Sequence, residues 1–241
     1  MKSCSFAVFL LLFLCVLTVQ AQETDTATST TPASKEYPGH TMIKGLVLQL
    51  GTAYIAENNA LPTPGLFNVK TGRPSTFNIY FVKQLNLIKN TLSFAPGIGF
   101  GFDNYYFEKN LLVRPSGKDL FYIDNSKKYN KTKLAATYVD IPLELQFASS
   151  ANYKKALKIA VGGKFGVLIN DKSKIKYEED GTDVKVKASD ISLNKIRYGV
   201  TGRIGFGIFN VFAYYSLSPL FKTQYAPKTQ PIIFGISLNS F

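Results

Sequence analysis

The sequence predicts an all-β chain folded as an antiparallel eight-stranded transmembrane β-barrel, and three observations predict it. Apolar residues recur at every second position over segments of about ten residues, an export segment precedes them, and the connections between them alternate short and long. Period two over that length means a strand with two unlike faces. A soluble sheet would turn its charges to water. Segments of this length and alternation suit instead a membrane-spanning barrel that is apolar outside and polar inside, so the inner face must hold the charges.

The chain opens on the export segment. Met1–Ala21 carries one charge, Lys2, then an uninterrupted apolar run from Phe6 to Leu17. Val19-Gln20-Ala21 closes it with the small-residue pattern of a signal peptidase site, cut before Gln22. The run falls short of the roughly 20 residues a spanning helix needs. Cys15 follows Phe13-Leu14, where lipoprotein processing wants a small residue. The chain's two cysteines, Cys4 and Cys15, both lie in this segment, so cleavage would leave neither a disulfide framework nor a cysteine metal site. Residues 22–41, rich in Thr, Ser, Ala and Pro, read as a disordered periplasmic tail. Residues 42–241 read as one outer-membrane barrel domain.

Eight strand candidates follow. Ile43–Tyr54 turns Leu46, Leu48 and Leu50 outward and Gln49, Gly51 and Ala53 inward. Thr76–Leu85 sets Phe77, Ile79 and Phe81 against Asn78, Tyr80 and Gln84. Thr91–Asp103 points Leu92, Phe94, Ile98, Phe100 and Phe102 outward over a small inner face of Ser93, Ala95, Gly97, Gly99 and Gly101. In Ala136–Phe147, Val139, Ile141, Leu143 and Leu145 alternate with Tyr138, Asp140, Pro142, Glu144 and Gln146. In Leu157–Asn170, Ile159, Val161, Phe165, Val167 and Ile169 alternate with Lys158, Ala160, Lys164, Gly166 and Asn170. Ile196–Phe206 buries Arg197, Gly199 and Arg203 between Tyr198, Val200 and Ile204. Asn210–Pro219 opposes Val211, Ala213 and Tyr215 to Phe212, Tyr214 and Ser216, and Pro231–Ser240 turns Ile232, Phe234, Ile236 and Leu238 outward. Each approaches the roughly 9–11 residues of a tilted crossing.

Asn86–Asn90, Ala148–Lys155 and Gly207–Phe209 are short connections, whereas 56–75, 104–133, 171–194 and 220–230 are long. Short periplasmic turns alternating with long outer loops is the arrangement of outer-membrane barrels. Lys174–Glu178 and Asp183–Lys187 flank Asp180-Gly181, a hairpin signal that extends the fifth and sixth strands outside the membrane. Asp119–Ile123 reads as a further strand, so ten strands is the alternative count.

Aromatics are 14% of the chain with no Trp, so interfacial girdles must be built from Tyr and Phe. Net charge is +12. The cations are spread over strand interiors and loops and form no single basic stripe, which disfavours nucleic acid. Asp103–Lys133 has seven cations and four acids, a net of +3. Outer-membrane lipid and lipopolysaccharide are the physical partners of such exposed cations.

Catalytic chemistry is poorly supplied. The lone histidine, His40, sits in the tail before the first strand, opposite the rim where a barrel hydrolase would need it. No His/Cys metal set can form after cleavage. Gly97, Gly99 and Gly101 lie within an alternating strand without a following Lys-Ser/Thr, so they make room for bulky neighbours and do not form a nucleotide loop. Glu178-Glu179-Asp180 reads as a solvated hairpin tip. The chain is therefore read as no enzyme, with no cofactor.

One constellation stands out: Asp140, Glu144, Lys158, Lys164, Arg197, Arg203 and Tyr214, all on the inner face. Antiparallel pairing across the short 148–155 connection joins positions whose numbers sum to about 303, matching Glu144 with Lys158 and Asp140 with Lys164. Arg203 is expected opposite Tyr214. A salt-bridge core filling a narrow barrel is the preferred reading, since eight strands leave room only for side chains. The same cations also fit a cationic lumen that gates or passes small anions.

Tyr138-Val139-Asp140-Ile141-Pro142-Leu143 resembles the aromatic-x-x-Ile-Pro-Leu segment of PorT-like outer-membrane β-barrel proteins of Bacteroidetes, and Val161–Gly166 resembles the Gly-rich strand that follows it there. The resemblance implies a small barrel in the cell outer membrane of a Gram-negative bacterium. The name-giving member is associated with type IX secretion, a role that a shared barrel does not by itself transfer. Terminal Phe241 resembles the signal read by the barrel assembly machinery, with Leu238, Ile236 and Phe234 out of phase with it. The expected function is structural, surface-interacting or secretion-accessory; anion transport is the alternative, and a lipid-modifying enzyme is disfavoured by the lack of a rim histidine.

Overall fold

A computed structural model describes residues 45–57, 68–70, 73–89, 91–108, 111–113, 121–123, 129–150, 156–179, 182–189, 191, 193–222 and 229–239. The expected export segment, the expected tail with His40, Asp180-Gly181 and terminal Phe241 lie outside them. The elements are β1 (Leu46–Glu57), β2 (Thr76–Val82), β3 (Leu85–Ile88), β4 (Leu92–Tyr106), β5 (Leu111–Val113), β6 (Phe121–Ile123), β7 (Tyr129–Ala148), β8 (Leu157–Glu179), β9 (Thr182–Ser189), β10 (Ile196–Phe206), β11 (Phe209–Ser216) and β12 (Thr229–Asn239). Each wall strand pairs antiparallel with its neighbours in the order β10-β11-β12-β1-β2-β4-β7-β8, and β8 returns to β10. The wall is thus a closed eight-stranded barrel with no free edge. Strands β3 and β9 are extra pieces attached to β4 and β8.

The two faces follow the alternation. Tyr138, Asp140, Glu144 and Gln146 are buried while Ile141, Leu143, Leu145 and Phe147 are exposed on the same strand. An exposed apolar face would be unstable in water and is what lipid requires. Its rims are aromatic and unequal. Phe206 and Phe209, 63% and 66% exposed, face one another at the short Gly207-Ile208 turn. Tyr54 and Tyr215 flank Ile232 on either side of β12 toward the outer end. Tyr54 stacks on Phe234 at 5.3 Å.

Several expectations change in detail. The expected turn at Asn86–Asn90 is partly β3, reached after Gln84 turns into the lumen to donate to Gln146 Oε1 at 2.7 Å. The Phe206–Phe209 turn is two residues long, and Gly207 at φ 56° supplies the positive φ such hairpins need. Phe121–Ile123 is a strand, but it pairs with Leu111–Val113 in a separate hairpin, so the ten-strand wall is not formed. The outer hairpin forms between β8 and β9 and extends the fifth strand alone, because residues 190–195 separate β9 from β10.

A bulge in β8 has the largest consequence. Thr137 faces Asn170 and Tyr138 faces Leu168, leaving Ile169 as the extra residue. One inserted residue exchanges the two faces of everything beyond it. Asn170, expected inward, is exposed, and beyond it Ser173 and Ile175 are the buried residues.

Candidate functional site: the barrel lumen

The lumen is filled in layers. Nearest the short turns, Arg203 on β10 pairs with Glu144 on β7 and donates from Nη1 to Asn239 Oδ1 at 2.6 Å. Gln146 donates to Glu144 at 3.3 Å, and Ser237 to Asn239 at 3.0 Å. All five of these residues are buried.

Above it lies a larger cluster. Arg197 on β10 grips Asp140 on β7 with two bonds, Nε to Oδ1 at 2.9 Å and Nη2 to Oδ2, and its Nη1 pairs with Asp103 on β4. Tyr80 on β2 donates to Asp140 at 3.0 Å, and Thr76 donates to Asp103 at 3.0 Å. Lys164 Nζ stands 3.9 Å from Asp140, 3.4 Å from the Tyr80 hydroxyl and 3.8 Å from the Tyr214 ring centroid. The Arg197 guanidinium lies 3.8 Å over the Tyr138 ring. Such contacts pair the charges and the Arg197 donors in a space where an unpaired ion would cost several kcal/mol.

A third layer closes the outer half. Tyr105, Leu134 and Ile233 from the wall pack with Val69, Phe107, Ile191, Leu193, Leu220 and Phe221 from the connections into one buried apolar cluster. Bridges between Val69 and Phe107 and between Leu193 and Phe221 hold those connections in place.

The seven residues expected in the lumen therefore divide. Asp140, Lys164, Arg197 and Tyr214 meet in the middle cluster; Glu144 and Arg203 form the lower one. All three expected register pairings are corrected, Lys164 facing Pro142 and reaching Asp140 only through its side chain. Paired positions sum to 306 (Asp140 with Gly166), not about 303, because Ser149 N–H closes the connection onto Leu157 O at 3.0 Å. Lys158 consequently faces Ala148, not Glu144, and is half-buried beside a cavity of about 40 Å³ that Arg203 also lines. Arg203 faces Phe212, and Thr201 occupies the place opposite Tyr214. Sequence reasoning missed Asp103, counting it with the outer loop, although it continues the inward series Gly97, Gly99, Gly101. Without it, residues 104–133 have seven cations and three acids, a net of +4.

The glycines earn their inward positions by close approach. A Cβ at Gly101 would stand 2.3 Å from Arg197 Nη2, and one at Gly166 would stand 2.1 Å from Asp140 Oδ1. Gly166→Ala should therefore destabilise the barrel by about 1–3 kcal/mol, the usual cost of overpacking. Gly163→Ala, whose nearest contact would be 3.7 Å, should be near neutral. Urea midpoints in micelles, read by the gel mobility difference between folded and boiled protein, check both; equal midpoints would count against the packing argument.

Chemically, the arrangement balances charge. Arg197 and Lys164 stand against Asp103 and Asp140, and Arg203 against Glu144. Among the described residues no three His, Cys, Asp or Glu side chains gather in a metal-binding group.

The outer membrane protein beta-barrel domain matches residues 48–222, most of the closed wall. This chain belongs to that family. It is accordingly an outer-membrane protein, and its apolar exterior faces lipid. Two solved structures are similar to this family member. One is Ail, the attachment invasion locus protein of Yersinia pestis, in complex with the heparin analogue sucrose octasulfate, at 11% identity and a TM-score of 0.33 over 80% of this chain and 93% of that one. The other is a second structure of Ail, the attachment invasion locus protein of Yersinia pestis, at 13% identity and a TM-score of 0.32 over 81% of this chain and 97% of that one. No curated protein matches in sequence.

Proposed function

We propose that this outer-membrane barrel acts through its extracellular face, as a surface-interaction or secretion-accessory protein, without catalysis and without conducting ions. The observation that carries the reading is the layered lumen: two charge-balanced clusters below an apolar plug. The spaces left among the described residues are small. The cavity at the periplasmic end has about 40 Å³ and the one between the Arg197 cluster and the plug about 10 Å³, room for a water molecule or two and for no solute. A cationic lumen that gates anions would need unpaired cations along a path, whereas Lys164, Arg197 and Arg203 each hold an acid.

The PorT-like segment supports the secretion-accessory arm, and its side chains fit an architectural role. Tyr138, Asp140, Pro142 and Glu144 all face the lumen from β7. A fold alone does not assign the role, so the test is functional. Purified barrel in planar bilayers should show no steady conductance, and lipid turnover should match empty vesicles. A reproducible anion-selective current that changes with Lys164→Gln would replace this reading with transport.

A further inference from the structure

We propose that the outward side of the β7–β8–β9 extension is a docking surface for the phosphate groups of outer-leaflet lipopolysaccharide, held by rows of lysines that strand register sets opposite one another. The proposal rests on the outer-membrane reading above and names what the outer face contacts. Lys133 faces Lys174 across β7 and β8, and Lys174 faces Lys187 across β8 and β9. Lys172 stands one step nearer the membrane, opposite Ala135 and Ser189. Directly opposed residues bring their Cβ atoms to about 4.5–5.5 Å, and like charges so placed destabilise a sheet. Lys133, Lys172, Lys174 and Lys187 also line one hollow, so their ammonium groups concentrate positive charge there. A multiply charged anion lying along the rows would offset it.

The bulge decides which side the lysines occupy. Below it, the even-numbered residues Ala160, Lys164 and Gly166 face the lumen; without the extra Ile169, Lys172, Lys174 and Lys176 would follow them inward. Instead Thr132, Leu134, Ser173 and Ile175 are the buried side of the extension, and the lysines point away from the barrel. They continue the strip on which Phe165, Val167 and Ile169 meet lipid. Lys172 lies three residues beyond Ile169, about 10 Å along the strand. What lies beside these lysines is therefore the headgroup layer of the lipids whose chains cover that strip. The surface is concave there: Lys133, Lys172, Lys174, Lys187 and Ser189 line a hollow of about 350 Å³, which is ample for a phosphorylated sugar. Lys133 is also placed 5.3 Å over the Tyr106 ring. Compact ammonium groups bind phosphate as point charges. A soluble polyanion would have to approach the wall from the side, where lipid already stands.

The test titrates the full-length folded barrel in micelles with diphosphoryl lipid A, with lipid A stripped of phosphate, with inorganic phosphate and with heparin. Diphosphoryl lipid A should bind at least tenfold tighter than the stripped form, and added salt should weaken it. Lys133→Gln with Lys174→Gln and Lys187→Gln should lower that affinity at least tenfold, while Lys83→Gln near the periplasmic turns leaves it unchanged. If the triple variant loses its folded gel band, Lys185→Gln with Lys187→Gln on β9, outside the closed wall, should give at least a threefold loss. Equal binding of the stripped lipid, no effect of either lysine variant, displacement by millimolar inorganic phosphate, or preference for heparin over lipid A would each overturn the proposal. Conductance is read separately. A conducting barrel with intact lysine dependence fails only the closed-lumen reading, and a silent barrel without it fails only this one.

Discussion

Replacing Arg197 with methionine should cost about 3–5 kcal/mol of barrel stability, the penalty of breaking a buried ion pair by removing one partner. Arg197 answers two carboxylates at once, Asp103 from β4 and Asp140 from β7, and it joins strands that are not neighbours in the wall. Its loss leaves Lys164 as a cation beside Asp140, at 3.9 Å, and removes from Asp103 its guanidinium partner. Adding Asp103→Asn and Asp140→Asn to the methionine variant should recover more than half of the loss, since neutral amides are cheaper to bury than unpaired ions. Urea titration followed by far-ultraviolet circular dichroism suits a chain without tryptophan. A midpoint for Arg197→Met equal to that of the parent would refute the account of the middle cluster.

The lower cluster should show the strongest pairwise coupling in the lumen. Glu144→Gln and Arg203→Met should each destabilise the barrel by about 3–5 kcal/mol. Together they should cost less than the sum, with a coupling of about 0.5–3 kcal/mol in a double-mutant cycle. The same cycle between Glu144→Gln and Lys158→Gln should be additive, because Lys158 faces Ala148 across the β7–β8 pair. Coupling at Lys158 in place of Arg203 would mean that the register sums to about 303 after all. The cycle thus reads strand register through energy.

The candidate site was only half legible in advance. Inward orientation of Asp140, Glu144, Lys164, Arg197 and Arg203 could be read from period two, and so could the need for small neighbours such as Gly101 and Gly166. Asp140 and Lys164 do meet, at 3.9 Å, but not as register partners, since Lys164 faces Pro142, and Asp140's closer partner, Arg197, comes from the strand beyond β8. Asp103 was hidden by its position at the end of a strand, where strand and loop have the same composition. The apolar plug had no signal at all: Val69, Ile191, Leu193, Leu220 and Phe221 sit in connections and follow no period.

The sequence by itself determined that this is an all-β chain with eight wall strands, which face of each strand meets lipid, and which end holds the short turns. These are local properties, because a strand's two faces alternate whatever its neighbours are. Tertiary structure decided who meets whom. The closure at Ser149 and Leu157 set the β7–β8 register, Ile169 exchanged the faces of the outer part of β8, and ring closure brought β10 against β7 and β4 across the lumen. A one-residue shift at any of these points leaves the local pattern untouched and changes every contact beyond it. That is why the faces could be read from alternation, while the ion pairs, the plug and the rows of lysines appear only when the barrel is closed.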